Sequence, residues 1–114
     1  MDSILTSIKK LLGIAEDYTH FDVDIIMHIN SVFLTLSQIG VGPVSGFTIT
    51  DKESKWSDFA SVSNIANIEA VKTYIYLKVR LIFDPPTSGI VMQSISDTLK
   101  ELEYRLNVQY ETNI

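Results

Sequence analysis

The sequence predicts an all-α fold: a small helical bundle with a long central helix and a C-terminal helix forming a hairpin, two shorter N-terminal helices and one long loop. Three observations carry this. Residues 65–83 are apolar around most of a helical wheel. Met92, Ile95, Leu99, Leu102 and Leu106 recur at alternating three- and four-residue spacing, which draws a seam along one side of a helix. Both N-terminal apolar stretches follow helical spacing and run into a glycine, at Gly13 and Gly40, the residue favoured just beyond a helix end.

The central helix sets the packing problem. Ile68, Val71, Tyr74, Ile75, Leu77, Val79, Leu81 and Ile82 cover a wide arc, and Glu69, Lys72, Thr73, Tyr76 and Arg80 form one narrow polar stripe. Such a helix needs cover on most sides, either from the other helices of the chain or from a neighbouring subunit. Lys78 falls inside the apolar arc, opposite the stripe. An unpaired ammonium there would cost several kcal/mol. Its stem therefore snorkels to solvent, or its charge pairs with a carboxylate of another helix or another subunit.

In chain order, Ile4, Leu5, Ile8, Leu11 and Leu12 make the apolar face of a first helix, with Asp2 or Ser3 as N-cap and Gly13 as stop. Lys9 and Lys10 are expected away from that face, near the helix C-terminus that favours cations; a membrane-surface role for them is the weaker reading. A polar connector with Glu16 and Asp17 follows. Asp22 then caps a second helix, Phe21 is placed to staple against Ile26, and Ile25, Ile26, Ile29, Val32, Phe33 and Leu36 face inward. Residues 41–55 are the long irregular loop, with Gly42, Pro43 and Gly46 as breakers and 47–50 as a short extended piece. Phe47 and Ile49 argue against disorder there. Trp56 to Phe59 adds a helical turn, its two aromatics either pinning the loop to the core or, for Trp56, meeting a partner. Ser61, Ser63 and Asn64 offer N-caps to the central helix, which stops at Asp84, Pro85 and Pro86. Thr87 or Ser88 caps the last helix, along which Asp97 with Lys100, or Glu101 with Arg105, can pair. The tail, about 108–114, shows no pattern, and its Tyr110 and Ile114 have no evident core position.

The bulk properties exclude several function classes. A chain of 114 residues, 46% hydrophobic and 20% charged, suits a single globular domain over 1–114. Cysteine is absent, which removes disulfide and thiolate chemistry and suits synthesis in a cytoplasm. The acid at position 2 and the lysines within the first apolar pattern are unlike a signal peptide, and no apolar run approaches the roughly 20 residues of a membrane span. A net charge of −5 repels phosphate backbones and disfavours a free-standing nucleic-acid binder.

Chemistry-bearing patterns are scarce. Asp24 and His28 lie four apart, with His20 and Asp22 nearby, but this spacing fits no familiar zinc pattern. A solvated first turn that complements the helix dipole accounts for it. The glycines of the loop lack the strand and the lysine of a phosphate-binding loop, and no serine has a base beside it in sequence. The expectation is no enzyme, no metal and no cofactor.

Three stretches, MDSILTSIKKLLGIAEDYTHFDVDIIMHINSVFLTLSQIGVGP, FTITDKESKWSDF and VKTYIYLKVRLIFDPPTS with the leucine-spaced helix after it, together resemble the head-tail connector (neck adaptor) proteins of tailed bacteriophages, of the Gram-positive phage and prophage type. The resemblance spans almost the whole chain and lies in order and spacing rather than in a catalytic signature. It implies a structural virion protein, made in the host cytoplasm and placed in the neck, where a ring of about twelve copies docks under the portal. Such a ring extends the DNA channel, passes DNA without binding it specifically, and offers a surface to the next neck or tail component. The residues alone also suit a cytoplasmic helical protein-binding module, regulatory or antitoxin-like. On the connector reading, Phe47, Ile49, Trp56, Lys78, Tyr110 and Ile114 are the expected subunit or partner contacts. Glu16, Asp17, Asp51 and Glu53 are the acids free to line the channel, or ordinary solvated loop acids.

Overall fold

Five helices form among the residues described by the computed structural model, 3–63 and 68–112, with the side chains of 109–112 excepted. They are α1 (Ile4–Leu11), α2 (Asp22–Gln38), α3 (Trp56–Ser63), α4 (Ile68–Phe83) and α5 (Gly89–Thr112). The fold is a small all-α bundle with α4 at its centre, packed against α2, α5 and α1. Val71, Tyr74, Ile75 and Val79 of α4 are buried. Ile25, Ile29, Val32, Phe33 and Leu36 meet them from α2, Ile4, Leu5 and Ile8 from α1, and Ile95, Leu99 and Leu106 from α5. The chain wraps most of its over-apolar helix by itself. Ile82, expected in the covered arc, is 54% exposed, because it falls in the last turn of the helix, next to the Asp84-Pro-Pro stop.

The ends of the helices show why they stop. Ser3 caps α1, its hydroxyl accepting from the Thr6 N–H. At the other end the Ile14 and Gly13 N–H groups reach back to the carbonyls of Lys9 and Lys10. At the end of α2, Val41 and Gly40 do the same to Leu36 and Ser37, satisfying carbonyls that the helix itself leaves open. The cap of α2 is Phe21 rather than Asp22, since the Asp22 carboxylate is taken by an ion pair described below. Phe21 packs edge-on against Phe83 at the end of α4, ring centroids 5.2 Å apart.

Trp56 opens a full helix, α3, instead of a single turn. Asp58 accepts the Lys55 N–H at 2.9 Å, half of a capping box, so the structure begins earlier and Ser61 and Ser63 lie within α3 rather than capping α4. Asn64 and the expected first turn of the central helix at 65–67 lie outside the described residues. Along the loop no strand forms among the described residues; a single antiparallel bridge joins Ser3 to Lys55. Gly42 sits at φ +92°, where a Cβ would come within 3.1 Å of the Phe59 ring, so the loop backbone lies directly against that α3 side chain. The seam of α5 buries Ile95, Leu99 and Leu106, while Met92, in its first turn, is 39% exposed. The helix then continues to Thr112 where a patternless tail was expected. Asn107 fixes this extension by donating to the Ile39 carbonyl at 2.7 Å.

Candidate functional site

The most sharply built polar site is the one centred on Lys9. This residue was expected on the outside of α1; it is 2% exposed. On the helical wheel it borders Leu5 and Leu12, and the 13–21 connector folds over that edge. Its ammonium donates to the carbonyls of Glu16 (3.0 Å) and Tyr18 (2.8 Å) and meets the Asp22 carboxylate at 2.8 Å. One buried cation thereby fixes the backbone of the connector to α1 and to the first turn of α2. Leu11, expected in the apolar face, is instead 52% exposed.

The long loop is held just as specifically. Asn30, in the middle of α2, presents its amide like a strand edge to Ile49: it donates to the Ile49 carbonyl at 3.0 Å and accepts the Ile49 N–H at 2.8 Å. Ser3 donates to the Lys52 carbonyl at 2.7 Å, and the Ile4 N–H donates to the Ser54 carbonyl at 3.0 Å. Between connector and loop lies a cleft of about 600 Å³. Its lining includes apolar Leu5, Val23 and Ile26 together with the acids Glu16, Asp17 and Asp51. Three of the four acids singled out from the sequence thus meet at one place. The fourth, Glu53, is exposed, and its N–H donates to Asp51 Oδ1 at 2.8 Å.

A second polar cluster joins α4 to α5. The buried Tyr74 hydroxyl donates to Glu103 at 2.6 Å, and Lys78 lies 3.8 Å from the same carboxylate and 5.8 Å from the Tyr74 ring centroid. Burial, then the hydrogen bond and the negative charge of Glu103, push the Tyr74 phenol well above its ordinary pKa. Lys78 therefore has a carboxylate of another helix of the same chain in reach, and both side chains keep about a third of their surface in water.

The other singled-out residues separate. Ile49 and Trp56 are 1% and 2% exposed and belong to the subunit's own core, so in this conformation neither offers surface to a partner. Phe47 is half-buried, its ring edge-on to Phe33 and Phe59. The Tyr110 side chain and all of Ile114 lie outside the described residues. Asp22 is committed to Lys9, and His20 packs on Phe21 with ring centroids 4.8 Å apart. Among the described residues no group of three or more histidines and carboxylates converges to hold a metal. None of the described helices is long and apolar enough to cross a membrane.

The geometry thus consists of a closed core, two tied-down irregular segments and polar links between helices. Against known families, the model described as phage connector protein matches residues 4–113. The chain belongs to the phage connector family. No curated protein and no solved structure gives a match. The connector family is structural rather than enzymatic and places the protein in the phage neck, between head and tail. In this connector the residues that sequence reasoning missed are Lys9, Asn30 and Glu103. Lys9 carried a signal, since it is four residues from Leu5. The signal for Asn30 was its place between Ile26 and Phe33 near the inward face of α2. Glu103 follows Leu102 of the seam, but its partners lie on another helix.

Proposed function

We propose that this connector is the subunit of a ring in the phage neck that docks beneath the portal, prolongs the DNA channel and joins the head to the tail. Family membership across 4–113 carries the reading. The distribution of leftover apolar surface supports it. With the core complete, Val23, Met27 and Leu34 remain 76%, 57% and 56% exposed along one stripe of α2. Ile90, Tyr104 and Val108 are exposed on the side of α5 opposite its buried seam. Scattered exposed apolar residues are ordinary, but rows along two separate helices are the material of interfaces, and a head-to-tail ring needs two different faces on every subunit. The net charge of −5 fits a channel that lets the duplex slide without gripping its phosphates.

The test is the mass of the protein, alone and after mixing with portal rings, by sedimentation and native mass spectrometry. Complexes of many copies on the portal are expected, and Met27→Asp with Leu34→Asp should abolish them while leaving the helical circular dichroism unchanged, since both positions face water in the lone subunit. A protein that stays monomeric with portal present, or a double variant that assembles normally, would refute the proposal.

A further inference from the structure

The cleft between connector and loop has a construction that neither the core nor a ring contact requires. Its two walls are irregular segments, the kind of chain that is ordinarily mobile, yet each is fastened through its backbone. Lys9 holds one wall at the Glu16 and Tyr18 carbonyls. Asn30 and Ser3 hold the other at Ile49 and Lys52. Lys9 also neutralises Asp22, which leaves Glu16, Asp17 and Asp51 as the acidic groups of the cleft, against Lys52 as the one remaining cation among the described lining residues. Part of the lining is apolar: Leu5, Val23 and Ile26, of which Val23 is 76% exposed. At about 600 Å³ the space lies within the range of about 300–1,000 Å³ typical of clefts that enclose a ligand. A solvated acidic surface needs no such apolar lining, and a purely apolar contact needs no acids beside it.

We infer that this cleft is a preformed docking site for a basic segment of another protein, in which an aliphatic side chain seats on Val23 and Ile26 while flanking lysines or arginines meet Glu16, Asp17 and Asp51. Charge complementarity selects that occupant. A second copy of this chain would bring 14 acids against 9 basic residues to an already acidic opening, and duplex DNA would bring phosphates. The site does not depend on ring formation, and the isolated subunit carries both walls. Fastening the walls in advance removes the ordering cost that a loose loop would otherwise charge against binding.

The experiment titrates the full-length protein with the end-capped peptide Lys-Arg-Leu-Leu-Arg-Lys, following backbone amide shifts by NMR and heat by calorimetry. Controls are Lys-Arg-Ser-Ser-Arg-Lys and Glu-Asp-Leu-Leu-Asp-Glu. Saturable binding is expected, with shifts gathered at Thr19, Val23, Ile26 and Thr50, at least tenfold weaker for the serine peptide and absent for the acidic one. Val23→Asp and Asp51→Lys, both at exposed positions, should each weaken binding tenfold or more with unchanged circular dichroism. Any of four results overturns the proposal: no binding at millimolar peptide, equal binding of the serine peptide, shifts located elsewhere, or concentration-dependent self-association through the same amides. A gain of duplex-DNA affinity in Asp51→Lys with no loss of peptide binding would also overturn it and return these acids to a channel wall.

Discussion

Replacing Lys9 by methionine tests how the connector is held. Methionine keeps most of the unbranched stem, so packing against α1 changes little and the loss is chiefly that of the ammonium. The carbonyls of Glu16 and Tyr18 then lose their donor, and the Asp22 carboxylate loses the counter-charge 2.8 Å from its buried Oδ1. Breaking a fully buried ion pair costs about 3–5 kcal/mol, and a polar group stranded away from water about 1–3 kcal/mol. Here the acceptors are only partly sealed. Asp22 Oδ1, the oxygen that meets Lys9, is itself buried, but the Asp22 side chain keeps 24% of its surface and Glu16 and Tyr18 are exposed residues, so water can replace part of the loss. The expected destabilisation is about 2–3 kcal/mol, read in urea at 25 °C as a midpoint lowered by roughly 1–2 M for a chain of this size. Hydrogen exchange should show the Ile14 and Tyr18 amides, bonded to the Lys9 and Ala15 carbonyls, losing protection before those of α4. Pairing Lys9→Met with Asp22→Leu should recover part of the stability, because no uncompensated charge remains. A Lys9→Met protein within about 0.5 kcal/mol of the parent, the range of ordinary surface changes, would refute the claim that this cation fastens the connector.

Two further outcomes follow from the other polar links. Tyr74→Phe removes a donor to Glu103 and should cost about 1–2 kcal/mol in urea unfolding, less than a sealed charged hydrogen bond because Glu103 is a third exposed. Since the Tyr74 pKa is raised in the fold, its contribution is complete below the ordinary tyrosine value of about 10 and declines as pH rises beyond it, so melting temperature should fall more steeply above pH 10 in the parent than in Tyr74→Phe. Asn30→Ala removes both bonds to Ile49 and should cost about 2 kcal/mol, with amide exchange at Ile49 and Thr50 accelerating well before that of α2; equal protection in parent and variant would show that the loop is held by Ile49 packing alone.

Much of the helical frame was legible because it rests on local spacing. The seam of α5, the inward face of α2 and the sharp end of α4 at Pro85 are periodic or steric facts about neighbouring residues, and the family resemblance rested on the same order of elements. What escaped depends on which segments meet across the fold. Lys9 looked like a dipole-facing surface lysine because nothing nearby in sequence says that the connector doubles back over it. Asp22 looked like an N-cap, a role its residue type suits, until a buried cation claimed its carboxylate. Ile49 and Trp56 carried the right signal, large apolar side chains in a long loop, but the signal is shared by core anchors and partner anchors. Burial decides for the core. The cleft itself was invisible for the same reason: Glu16 and Asp51 are 35 positions apart in sequence, and only the fastening of both segments to α1 and α2 brings them around one opening.

The over-apolar central helix posed a choice between cover from within and cover from a neighbour, and the structure divides the answer by helix. α4 is served by α2, α1 and α5, with Lys78 and Glu103 joining the α4–α5 contact at a place both can still reach water. The apolar demand that remains has moved outward, to Val23, Met27 and Leu34 on α2 and to Ile90, Tyr104 and Val108 on α5. A subunit arranged in this way has a closed core of its own, and on the proposed ring reading the residues left uncovered on the outer sides of its packing helices are the ones that would meet its neighbours. Mutations at α4 should therefore act first on folding, and mutations on the outer stripes of α2 and α5 first on assembly. The pinned cleft shares Val23 with the α2 stripe but differs from it in having acids around its opening and in being built on segments the bundle could have left loose.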